Sequence, residues 1–194
     1  MTRFCLASAV LLVATVAAHA QTPAPAAPAA PPAPQTLSAG LKRFWDNHKR
    51  NLGEAAEKMP EANYSFKATP DVRSFGELVG HVAESLYGIC SSLKGEKSPY
   101  ERGSLEKKTT KAELVKAIQD SITYCDGVYQ TATDESLVKM TKVGPQEIAP
   151  INYMWYNISH TNEHYGNMVT YMRLKGLVPP STERAQAPRK PSND

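Results

Sequence analysis

The sequence predicts an all-α domain, a four-helix bundle, on three observations. Four segments of roughly 20 to 28 residues carry apolar side chains at three- and four-residue spacing, the stripe that a helix buries. Their ends are marked by capping residues, glycine or proline. No stretch shows the alternation of a half-buried strand. Composition agrees: of 194 residues, 41% are hydrophobic and 8% aromatic, enough for one packed core. The net charge of +3, from 22 Lys and Arg against 19 Asp and Glu, is small and evenly spread, which speaks against a nucleic-acid partner. Three cysteines exclude a disulfide-dense mini-domain and a four-cysteine zinc site. Neither common glycine-rich phosphate loop occurs.

Residues 1–20 read as a signal peptide. Arg3 precedes an apolar run over 5–18, and Ala18-His19-Ala20 is an A-x-A cleavage site. Cys5 stands before the apolar run, which argues against a lipid anchor, and cleavage leaves no membrane-spanning segment. The expectation is an exported protein, periplasmic or extracellular in a bacterium. Residues 21–36, rich in Pro and Ala, read as an extended disordered linker. The bundle is expected over 37–181, and the polar stretch 182–194 as a disordered tail.

The first helix is predicted over 38–59, with Leu41, Trp45, His48, Leu52, Ala55 and Met59 on one seam and Pro60 as its stop. The connection over 60–73 is long for a bundle loop, so it is expected to cross the bundle. The second helix opens on a capping box, Ser74 with Glu77, and ends at Gly95. The third opens on a second box, Thr110 with Glu113. The fourth runs from about Ile148 to Lys175, where Gly176 suits a left-handed cap and Pro179-Pro180 prevents continuation. Cys90 and Cys125 fall on the second and third helices. Export allows a bridge between them; two buried free thiols are the alternative, and spacing does not choose.

Chemistry concentrates in the histidines. His160 and His164 stand four residues apart, so both imidazoles lie on one helix face, at the spacing of a two-nitrogen metal site. His81 is the candidate third ligand, flanked by small Ser85 and Gly88, which leave room for a metal and a ligand. Three histidines with an open position suit zinc or nickel. Glu163 is not placed as in the H-E-x-x-H metalloprotease helix. With Glu84 it reads as a surface or supporting acid, and with His48 these are the weak candidates for a proton carrier. His48 itself lies in the core seam and reads first as a satisfied buried histidine.

On the fourth helix, Ile151, Trp155, Ile158, Asn162, Tyr165 and Val169 share one direction, at about 100° per residue. The histidines lie opposite. If the histidine face lines the interior, the face of Trp155, Ile158 and Val169 is left for a homodimer; the alternative turns Trp155 to the core and leaves the histidines at a polar rim.

Phe75-Gly76-Glu77-Leu78-Val79-Gly80-His81-Val82-Ala83 resembles the first metal-ligand helix of the DinB-like proteins. His160-Thr161-Asn162-Glu163-His164-Tyr165-Gly166-Asn167 resembles their last helix, and residues 171–181 resemble the ending of an exported branch. The resemblance implies an up-down-down-up bundle, one divalent metal on His81, His160 and His164, and frequent dimers. It also implies thiol-dependent transferases or metal-dependent hydrolases and isomerases among the relatives. The expected function is an exported protein with one divalent metal, a metal-dependent hydrolase of undefined substrate. The alternatives are a non-catalytic metal- or small-ligand-binding dimeric bundle, and a thiol-dependent transferase. Export counts against the last, because thiol cosubstrates of low molecular weight are mainly cytosolic.

Overall fold

The structure, a computed structural model, describes residues 35–143 and 145–188. The signal peptide, most of the linker and the last tail residues lie outside the described part. Helix α1 (Leu37–Lys58) begins on Thr36, whose hydroxyl accepts the Ala39 amide at 3.2 Å. Helix α2 (Phe75–Lys94) has the full capping box of Ser74 and Glu77, and Gly95 closes it at φ +72°. Helix α3 (Lys111–Thr131) is capped by Thr110, which accepts the Glu113 amide. Its expected box is only half formed, because the Glu113 carboxylate takes the Thr110 hydroxyl at 2.8 Å rather than the backbone amide.

A short helix α4 (Asp134–Val138) follows. The Asp134 carboxylate accepts the Leu37 and Ser38 amides at 3.3 and 2.8 Å, covering donors that the first turn of α1 leaves unpaired. Strands β1 (Thr141–Val143) and β2 (Gln146–Ile148) pair antiparallel, Thr141 opposite Ile148. Sequence reading expected no strand, and three residues are too few for an alternation to show. Helix α5 (Pro150–Leu174) is the fourth bundle helix.

The tail differs from expectation. Helix α5 ends before Gly176, which takes the expected left-handed conformation at φ +72°, and Pro180 starts helix α6 (Pro180–Gln186), at a position where a missing amide hydrogen does no harm. Residues 182–186 are therefore helical. Arg184 pairs with Glu54 and bonds Asn51, and Glu183 pairs with Lys58. These partners lie more than 120 residues away, so local composition does not disclose them.

Contacts give the topology. Helix α1 packs on α3 and α5, and α2 packs on the same two, so α1 and α2 stand across the bundle and the 60–73 connection crosses it. Leu114 lies against Gly76 near the starts of α3 and α2, and Cys125 meets Cys90 near their ends, so these helices are parallel. Lys49 pairs with Asp126 while Gln119 bonds Glu57, so α1 and α3 are antiparallel. Asn157 approaches Cys90 while Tyr171 approaches Phe75, so α5 opposes α2. The order is up-down-down-up.

The core is held by Trp45 stacked on Tyr129 at 4.6 Å and by a Cys90–Cys125 disulfide between α2 and α3, Cα atoms 5.4 Å apart. The bridge resolves the choice that spacing left open. Helix α5 buries a stripe between the two faces expected of it: Asn157, His164 and Tyr171 from one, Ile158 and Tyr165 from the other. Ile158 thus belongs to the chain's own core and Val169 packs against it. Of the three residues expected at an interface, only Trp155 projects, 54% exposed, edge-on to Phe44.

Candidate metal centre

His81 enters from α2 and His160 and His164 from α5. Because α2 and α5 pack side by side, one nitrogen of each imidazole lies within 4.8 Å of the others. The two Nε2 atoms of His160 and His164 are 3.0 Å apart. Two nitrogens on one tetrahedral ion at about 2.05 Å would be about 3.3 Å apart, so the spacing fits a shared divalent ion. The Nδ1 atoms of His160 and His164 are buried without a partner among the described residues. Burial, then the neighbouring His160 and His81, pushes the His164 imidazole down to about 4. Burial and His81 lower that of His160 as well. Both rings therefore stay neutral near pH 7, each keeping one unprotonated nitrogen that can bind a metal.

His81 is supported differently. Its Nδ1 lies 2.8 Å from Glu106 Oε1. A carboxylate accepts only, so Nδ1 carries the hydrogen and Nε2 is left for the centre. Arg73 in turn donates to Glu106 from Nε at 2.9 Å. Burial alone would raise the Glu106 carboxyl, but Arg73 and His81 outweigh it and hold it below its usual range. Gly80 makes this possible. A Cβ there would lie 2.7 Å from the Leu105 carbonyl carbon and closer still to its oxygen, so only glycine lets the loop carrying Glu106 close on α2.

Sequence reading named all three histidines and missed Glu106 and Arg73. Both stand in irregular segments without periodicity. The one available signal was Gly80, since a glycine inside a helix asks for a packing reason. The weak catalytic candidates find other places. His48 is buried, and its Nδ1 donates to the Phe44 carbonyl at 2.7 Å, as a satisfied core histidine does. Glu84 accepts the amides of Gly103 and Leu105 and so anchors the loop before Glu106. Glu163 is exposed on α5. None of the three belongs to the cluster.

Two clefts flank the histidines. One, of about 540 Å³, is bounded by His164, Lys67, Arg73, Glu77 and Glu106. The other, of about 390 Å³, is bounded by His81, His160, Gly88, Tyr100, Arg102 and Tyr156. Both volumes fall in the range of small-molecule sites.

The model of the DinB family matches residues 35–191. The chain belongs to the DinB family. Solved structures agree on the fold. A DinB-like protein from Bacillus cereus ATCC 10987 aligns with a TM-score of 0.63 at 18% identity, covering 75% of this chain and 97% of that one. A DinB-like protein (YjoA) from Bacillus subtilis aligns with a TM-score of 0.57 at 22% identity, covering 71% and 92%. The mycothiol-dependent maleylpyruvate isomerase aligns with a TM-score of 0.55 at 10% identity, covering 68% of this chain and 60% of that one. No curated protein sequence matches.

Proposed function

We propose that this DinB-family protein is exported and holds one divalent ion, zinc or nickel, on His81, His160 and His164, as a metal-dependent hydrolase of a small molecule. One observation carries the reading: imidazole nitrogens from two different helices converge within 4.8 Å, with two Nε2 atoms at 3.0 Å. When bound, such an ion supplies Lewis-acid chemistry of the kind used in hydrolysis. The chain contributes the rest. His160 and His164 present unprotonated nitrogens, Glu106 orients His81, and Arg73 holds Glu106 in place. The flanking clefts leave the centre accessible to a ligand. The buried Cys90–Cys125 bridge and the signal-like residues 1–20 support an oxidising compartment.

A thiol-dependent transfer reaction is the second reading, favoured by the fold-level likeness to the mycothiol-dependent isomerase. The exposed pair of Trp155 and Phe44 is the surface a second copy of the chain would cover; a monomer in analytical ultracentrifugation at tens of micromolar would remove that part of the reading.

Elemental mass spectrometry on mature protein, exported in a bacterium and free of tags, tests the centre. The expected result is about one divalent ion per chain, lost in His81→Ala. Absence of metal after reconstitution with zinc and with nickel would overturn it.

A further inference from the structure

The two clefts beside the histidines differ in what their charges are doing. In the larger, Lys67 pairs with Glu77 at 3.2 Å and Arg73 with Glu106 at 2.9 Å. Asp71 adds a further negative charge to the same wall. Its cations are engaged within the protein, and carboxylates outnumber them. In the smaller cleft the one carboxylate, Glu84, is already held by the amides of Gly103 and Leu105. Its one cation, Arg102, makes no ion pair among the described residues.

The walls differ too. The smaller cleft is bounded by two of the three histidines, His81 and His160, and by the rings of Tyr100 and Tyr156. Tyr156 leans on His160 with ring centroids 5.7 Å apart. Tyr100 leans on Tyr87 at 5.0 Å, which supports its ring from behind. Gly88 forms part of the same wall, and a Cβ built there meets nothing within 4 Å. Glycine inside a helix carries a conformational penalty of about 1 kcal/mol against alanine, and no close contact among the described residues requires it at this position. The space it leaves opens on the cleft.

We propose that the substrate approaches the three-histidine centre through this smaller cleft, and that it is a small aromatic molecule bearing a carboxylate or phosphate. Tyr100 and Tyr156 take the ring, by the offset and edge contacts that aromatic groups prefer. Arg102 takes the anion through its planar fork of donors. The other cleft, lined by engaged cations and three carboxylates, disfavours the same ligand. This assignment rests on the proposed centre for its purpose, but the cleft's recognition chemistry belongs to the chain itself and is read without metal.

The test is chemical-shift mapping by NMR on the full mature chain, metal-free and zinc-loaded, titrated with phenyl phosphate, benzoate and benzyl alcohol. Expected are shifts confined to residues 85–102 and 156–160 for both anions in both forms, with benzyl alcohol at least about tenfold weaker. Arg102→Gln should weaken the anions by about tenfold and leave benzyl alcohol unchanged. Gly88→Leu should exclude all three while retaining helical content and the metal content of the parent. Shifts clustered at Lys67 and Arg73, unchanged anion binding in Arg102→Gln, or no binding of either anion would overturn the assignment. An intact cleft response in a protein that never takes metal would sink the proposed centre and leave the cleft standing.

Discussion

Asn157 and His164 stand two turns apart on the same buried face of α5, yet their surroundings are opposite in kind. Around Asn157 the polar groups find one another. Trp45 Nε1 donates to Asp126 at 2.7 Å, the Tyr129 hydroxyl donates to the Met154 carbonyl at 2.9 Å, and Asn157 Nδ2 donates to the Tyr129 oxygen at 3.1 Å. Only Asn157 Oδ1 lacks a partner there. The large side chains of this network, Trp45 and Tyr129, are themselves fully buried. Around His164 the nitrogens face each other instead, and α2 contributes a third imidazole, His81. Polar groups that saturate one another hold the fold, while donors that converge without saturating are available to a ligand.

The sharpest break in that comparison is expected at Trp45. Trp45→Ala empties a fully buried site and should lower stability by about 3–5 kcal/mol, measured by urea unfolding under non-reducing conditions. His160→Ala should do the reverse: it removes stoichiometric metal yet changes metal-free stability by less than about 1 kcal/mol. If it unfolded the chain as Trp45→Ala does, the histidine end would be structural core and the contrast would fail.

Next in size are the supports of His81. Glu106→Ala should weaken zinc binding by about 10–100-fold in chelator competition, with the helical signal intact. Gly80→Ala should weaken it to a similar degree, because the Leu105 backbone must move away and take Glu106 with it. Equal affinity in both variants would mean that His81 needs no partner.

The smallest effect sharpens the comparison at the start of α2. The Ser74 amide hydrogen bond, helped by Lys67, holds the Glu77 carboxyl below its ordinary value of 4.5. A depressed folded-state value stabilises the fold above that ordinary value, and the contribution is lost as pH falls through the folded value. Glu77→Gln keeps the capping acceptor but loses the charge, and should be less stable than the parent by about 0.3–0.5 kcal/mol at pH 7. The gap should narrow progressively as pH falls below 4.5 in paired thermal melts. A gap independent of pH would show that the cap acts without its charge.

Legibility in the sequence followed the range of the interactions. The capping box at Ser74, the stops at Pro60 and Gly95, and the pairing of His160 with His164 lie within a few residues of one another, where helix geometry alone relates them. The four bundle helices were accordingly readable. Helix α6 was not, because its polar residues are ordered by Glu54, Asn51 and Lys58 on a distant helix. The rotation of α5 was likewise not readable: a single stripe admits two rotations, and packing against α1 and α2 selected one between them, with Ile158 in the core.

What the sequence determined by itself, then, is the four bundle helices and the residue types brought to the centre, since periodicity, caps and imidazole spacing are local properties of the chain. The tertiary structure alone decided that Cys90 meets Cys125, that His81 meets His160 and His164, and that Glu106 stands behind His81. Each depends on two segments arriving at one place, which is a property of how helices pack. Gly80 joins the two levels: one missing side chain, visible in the sequence, acquires its meaning only when a loop from 25 residues away closes over it.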